Sequence, residues 1–116
     1  MHPRLIVVLS LLSIFAQQSF AAESLEETIN YLIDYVAKSD ATFIRNGDTH
    51  TPAEGAAHIK AKYDHFKSSI KTPEDFIRLC ATKSLLSGQP YLVRPRDGKE
   101  MRLADWLTAA LKAHRP

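Results

Sequence analysis

The sequence predicts a mainly α fold, a compact bundle of three to four helices with a short C-terminal β-hairpin. Three observations carry that reading. Helix-start signals recur at Ser24, Thr51 and Thr72. Apolar residues follow at helical spacing. An Asp97-Gly98 reversal then separates Tyr91-Leu92-Val93-Arg94 from Glu100-Met101-Arg102, a hairpin pattern.

The first helix follows Ser24, with Glu27 three residues on to complete a capping box. Leu25, Ile29, Leu32, Ile33 and Val36 fall on one stripe, which should end near Lys38. The second begins at Thr51-Pro52-Ala53-Glu54, a cap, a proline at the first helical position and an acid at the third. Its buried face is Ala56, Ile59, Tyr63, Phe66 and Ile70, and Lys60, Lys62, Lys67 and Lys71 make it basic. Thr72-Pro73-Glu74-Asp75 repeats the start signal for a third helix fading near Lys83. A fourth should run from about Leu103 to Ala113, with Leu103, Trp106, Leu107, Ala110 and Leu111 inward. Between them, Thr42 to His50 reads as an anchored non-helical piece held by Phe43 and Ile44, with Asn46-Gly47 as its turn. Ser87-Gly88-Gln89-Pro90 makes a second break.

The start of the chain is of another kind. Arg4 precedes Leu5 to Ala16, twelve residues without a charge, and Ser19 and Ala21 suit the exit of a signal peptidase site. Twelve helical residues span roughly 18 Å, against a hydrocarbon core of about 30 Å. The expectation is therefore a cleaved signal peptide at 1–21 and a single α-rich globular domain at 22–116, with no stable membrane insertion after cleavage. No cysteine follows the apolar run, which disfavours lipoprotein processing.

Composition narrows the function classes. The whole chain carries 15 Lys and Arg against 13 Asp and Glu, a balance that gives no argument for nucleic acid as partner. Cys80 is the only cysteine, so no internal disulfide can form. It reads as a small buried hydrophobe rather than a reactive thiol.

Phe43-Ile44-Arg45-Asn46-Gly47-Asp48, followed by Glu54, Ala57-His58-Ile59 and Lys62, forms one distinctive series. Glu74-Asp75-Phe76-Ile77, then Ser84, Ser87-Gly88 and Tyr91-Leu92-Val93, forms another. Together they resemble the YfeK-like family of short exported proteins of Gram-negative bacteria, over roughly Ile29 to Leu111. The resemblance implies a periplasmic location and no activity. Some relatives carry a cysteine where this chain has Pro52, and the arm after Arg94 matches loosely.

Three chemistries bear on these residues. His58 and His65 are seven apart, about 10.5 Å along a helix, whereas a zinc pair wants three or four. No metal site and no cofactor are expected. A hydrolase would use Ser84 or Ser87 with His58, oriented by Asp48, Glu54 or Asp75. There is no nucleophile-elbow motif, and the serines also suit a helix end and a turn. The third chemistry is anion or small-ligand binding. Arg45 beside a turn, and His58 and Lys62 on one flank of the second helix, suggest convergence of Arg45, Asn46, His58, Lys62, Ser84, Ser87 and Tyr91 over the core. The architectural alternative has Arg45 capping a helix C-terminus, Asn46 bracing its loop and His58 bonding a buried carbonyl. Tyr31 and Tyr35 are either a core edge or a patch for a protein partner. The sequence thus leads to an exported, non-enzymatic envelope protein that binds a small ligand or an envelope protein, with a small periplasmic hydrolase as the alternative.

Overall fold

The computed structural model describes residues 22–116. The expected signal peptide, with its Ser19 and Ala21 exit, lies outside the described residues. Among those described, the helices are α1 (Leu25–Ala37), α2 (Pro52–Phe66), α3 (Pro73–Cys80) and α4 (Leu103–His114). A short 3-10 turn, Lys67–Ser69, extends α2. None of these helices is long and apolar enough to cross a membrane.

Local chemistry explains where the helices begin. Capping boxes close the starts of α1, α2 and α3, at Ser24 with Glu27, Thr51 with Glu54 and Thr72 with Asp75. Each satisfies amides that a helix's first turn leaves unpaired. No side chain caps α4. Its first amide, on Leu103, instead donates to the Tyr91 carbonyl at 2.9 Å, so tertiary structure does the capping. Helix α3 stops at Cys80, short of the expected Lys83. Thr82 turns back there and donates its hydroxyl to the Ile77 carbonyl at 2.9 Å. Lys83 then forms an isolated bridge with Pro90.

The expected bundle with one terminal hairpin needs correction. The strands β1 (Thr42–Arg45), β2 (Asp48–His50), β3 (Leu92–Arg94) and β4 (Met101–Arg102) form one antiparallel sheet in the order β2-β1-β3-β4. The C-terminal hairpin exists, with Val93 opposite Met101. But the piece from Thr42 to His50 is a second hairpin rather than a loop, with Phe43 opposite His50. On its other side β1 pairs with β3, Phe43 opposite Val93. The turn explains the first pairing. Asn46 has φ 52° and Gly47 φ 82°, the two positive angles that a two-residue turn matched to strand twist demands. The result is a helix-dominated fold built against a small sheet.

One core joins the layers. Ile29, Leu32 and Val36 of α1, Ile59 and Tyr63 of α2, Phe76 and Cys80 of α3 and Leu107 and Leu111 of α4 meet Phe43 and Val93 of the sheet. Phe66 and Trp106, expected inside, are half-buried at its edge. Tyr31 and Tyr35 are 36% and 37% exposed and form part of an aromatic surface beside the core. Tyr31 stacks on His114 at 3.7 Å between centroids, and Tyr35 tilts against Trp106 at 4.7 Å. Helix α2 lies close upon β1 because Gly55 lacks a side chain. A Cβ there would come within 3.1 Å of the Phe43 ring.

Phe76 is fully buried and meets the Tyr63 ring edge-on at 5.8 Å. Phe76→Ala should therefore cost about 3–5 kcal/mol, read as a lower urea midpoint with an unchanged slope. A loss well under 1 kcal/mol would show that the core relaxes around the deletion.

Candidate functional site

The seven polar residues named from sequence come together where α2 faces β1, β3 and the segment leading from α3 to β3. They form two adjoining clusters. Arg45, at the end of β1, places its Nη1 3.0 Å from His58 Nδ1. A guanidinium can only donate, so Nδ1 accepts and the imidazole proton is assigned to Nε2. That Nε2–H donates to the Tyr91 hydroxyl oxygen at 3.0 Å. Lys62, one helical turn beyond His58, donates its ammonium to the same oxygen at 3.1 Å and to the Lys83 carbonyl at 3.0 Å. The ammonium also lies 4.9 Å from the Tyr91 ring centroid, within reach of its negative face.

The second cluster clamps the segment. Asn46 Nδ2 donates to Ser84 Oγ at 3.3 Å, and Asn46 Oδ1 accepts from the Ser87 hydroxyl. Ser84 Oγ also accepts from the Leu86 amide at 3.3 Å, and Ser87 Oγ from the Gln89 amide at 3.1 Å. The β1–β2 turn thereby holds the turn closed by Gly88, whose φ is 72°. Both serine hydroxyls bond Asn46 and backbone amides, and neither bonds His58. A nucleophile–base pair is therefore not assembled among the described residues. The architectural alternative also needs revision. Arg45 caps no helix, and His58 bonds two side chains rather than a carbonyl. Asn46 does brace the loop.

Beside the first cluster lies an open cleft of about 360 Å³. Phe43, Ile44, Ile59, Leu92 and Leu103 give it apolar walls, while Arg45, His58, Tyr91, His50 and Glu54 supply its polar points. Of the seven residues named from sequence, Arg45, His58 and Tyr91 line the cleft while Asn46, Lys62, Ser84 and Ser87 do not, and sequence reasoning missed His50, Glu54, Gly55 and Ala57 as lining residues. For Gly55 a signal existed. Glycine inside a helix costs about 1 kcal/mol against alanine and often marks a close approach.

The electrostatics are lopsided. Lys62 is 8% exposed and Arg45 is half-buried, yet neither forms an ion pair among the described residues. Glu54 could have balanced Arg45, but its carboxylate accepts from the Thr51 amide at 2.8 Å. That bond and the Thr51 hydroxyl hold Glu54 below the usual carboxylate range. His58 titrates below the ordinary histidine value. Burial is the main cause, and the charges of Arg45, Lys62 and His50 add to it. His50 Nε2 is buried without a hydrogen-bond partner. Behind the cluster, burial pushes the Cys80 thiol up to about 11, despite the opposing Lys62 charge. Cys80 is therefore a buried protonated thiol rather than a nucleophile. No three of His, Cys, Asp and Glu gather into a metal-ligating group among the described residues.

Two outcomes follow from this geometry. His58 is neutral in both folded and unfolded chains well above its ordinary value of 6.5. As pH falls below that value the unfolded chain takes the proton first, because the native pKa is lowered, so stability drops until the native pKa is passed. The urea midpoint should fall between about pH 7.5 and about pH 5.5, and His58→Gln should shrink that fall. The carboxylates titrate lower and contribute little in this window. An identical fall in the variant would remove His58 as its source. In Lys62→Met the stem volume is kept, but the Lys83 carbonyl loses its donor. Stability should drop by about 1–3 kcal/mol. An equal or higher midpoint would mean that burying the ammonium costs more than its bonds return.

Comparison with known proteins agrees with the sequence resemblance. The protein described as "Uncharacterized protein YfeK" from Salmonella typhimurium is 39% identical over 67 residues. The match covers 57% of this chain and 56% of that relative, so the chain spans just over half of the relative's length. No solved structure matches. The family described as "Family of unknown function (DUF5329)" matches residues 23–115. That match takes in both strands of the first hairpin, the cleft and all seven clustered residues, and the chain belongs to this YfeK-like family of unknown function.

Proposed function

We propose that the protein is exported to the periplasm and there binds a small ligand, without catalysis, in the cleft between α2 and the sheet. One observation carries the binding reading. Arg45, His58 and Tyr91 are chained by hydrogen bonds at the edge of an apolar cleft, and the Arg45 charge has no ion-pair partner among the described residues. At about 360 Å³ the cleft falls at the small end of small-molecule sites, about 300–1,000 Å³. The Asn46 clamp supports the same reading, since it fixes the loop that carries Lys83 and leads to Tyr91. The hydrolase alternative lacks support, because Ser84 and Ser87 are committed to Asn46 and to backbone amides. Export rests on the sequence: a basic start, an uncharged run of twelve and small residues at Ser19 and Ala21.

Two measurements test this. Intact mass and N-terminal sequencing of protein recovered from the periplasmic fraction should place the first residue at Ala22. Recovery only in the cytoplasmic fraction with Arg4 retained would overturn export. For binding, Ala57 lines the cleft from the exposed side of α2, and Ala57→Trp should fill it while leaving the core intact. Native mass spectrometry should find a small molecule on the wild-type protein that the plugged variant has lost. Equal retention by both would move the ligand elsewhere.

A further inference from the structure

We propose that the ligand class is a small apolar carboxylic acid, its carboxylate on the free edge of the Arg45 guanidinium and its body against Phe43, Ile44, Leu92 and Leu103. This rests on the reading of the cleft as a ligand site and adds the chemistry of the occupant.

The head group follows from what Arg45 has left to offer. A guanidinium carries five N–H donors in a planar fork. Here only Nη1 has a protein acceptor, His58 Nδ1 at 3.0 Å, with His58 Nε2 at 3.5 Å beyond it. The remaining donors have no protein acceptor among the described residues. A fork held at one corner and free along its edge matches a carboxylate bidentately. His58 fixes that orientation. Its Nδ1 is spent on Arg45 and its Nε2–H on Tyr91, so the imidazole itself adds no charge to the ligand contact. Tyr91 supplies a second donor. Its oxygen accepts from both His58 and Lys62, which leaves the phenolic proton free to donate. Lys62 sits behind, adding a second buried positive charge that no carboxylate of the described residues offsets. In a half-buried setting such charges are only weakly screened, so one negative charge placed in the cleft on the Arg45 side is favoured.

The body of the ligand follows from the walls. Phe43 and Leu103 are each 4% exposed and still line the cleft, and Ile44 and Leu92 extend the apolar surface. A phosphate or sulfate would meet the cations but leave these walls uncovered, and its second charge and hydration shell would be lost against them. A monoanion with a hydrocarbon body satisfies both halves. A free acid and the C-terminal residue of an apolar peptide share that chemistry.

The test uses the purified protein, with amide shifts in NMR titrations reading both site and affinity. The probes are octanoate, octanamide, inorganic phosphate and an acetylated alanyl-leucine with a free carboxylate. Octanoate or the peptide acid should shift the amides of Arg45, His58 and Leu92, and should bind at least about tenfold tighter than octanamide or phosphate. Which of the two acids binds tighter assigns the source. Arg45→Gln should remove that tenfold preference, weakening octanoate far more than octanamide. If Arg45→Gln does not fold, Arg45→Lys serves, since it keeps the charge without the fork and should give an intermediate preference. Equal binding of octanoate and octanamide at these amides would overturn the carboxylate class while leaving the cleft as a site. Tightest binding of phosphate would overturn the apolar body. No shift at the cleft with any probe would overturn both this assignment and the binding reading beneath it.

Discussion

One phenol oxygen takes hydrogen bonds from two side chains of the same helix, and much of the molecule is arranged around it. The Tyr91 hydroxyl accepts from His58 and from Lys62, which fixes α2 against the segment that enters β3. The same residue's amide donates to the Thr82 carbonyl at 3.0 Å, tying that segment to the end of α3. Its carbonyl receives the first amide of α4. Three helices and a strand therefore take their relative positions from one residue that is 4% exposed. Such buried polar bonding stabilises most when its members are satisfied, and here His58 and Lys62 both find an acceptor in the Tyr91 oxygen. The groups left over, the outer edge of Arg45, the phenolic proton of Tyr91 and Nε2 of His50, all belong to residues of the cleft wall.

How much of this was legible depends on the range of the interaction. Helix starts are written within four residues, and the pairs at Ser24, Thr51 and Thr72 could be read directly. Strands of three or four residues are too short to display a period of two, so Phe43 and Ile44 looked like anchors of a loop. The pairing that makes them a sheet joins Phe43 to Val93, fifty positions away, and no local pattern encodes it. Asn46-Gly47 was legible as a turn, but the left-handed angles that make it a hairpin turn are set jointly by the strands it connects.

The clustered residues were legible for a similar reason. Helical spacing places His58 and Lys62 on one flank, and Arg45 and Asn46 are neighbours in sequence. What sequence could not supply was depth. A lysine beside an apolar stripe is ordinarily solvated along its head, whereas Lys62 is buried because Tyr91 and the Lys83 carbonyl lie over it. The serines were legible as residues of a helix end and a turn, but their partner was not. Their hydroxyls are defined by Asn46, thirty-eight and forty-one positions distant, and that contact turns a plausible nucleophile into a latch.

That latch sets a limit on the chemical lifetime of the protein. An asparagine followed by glycine is the dipeptide most open to deamidation, in which the glycine amide nitrogen attacks the side-chain carbonyl and expels ammonia. In Asn46 both ends of the carboxamide are engaged, by Ser84 and by Ser87, and the backbone is held at φ 52°. The folded loop thus restrains the rotation that the ring closure requires. Once the reaction occurs, the carboxylate product can no longer donate to Ser84. Ageing at this one amide would loosen the loop that leads to Tyr91, and with it one wall of the cleft.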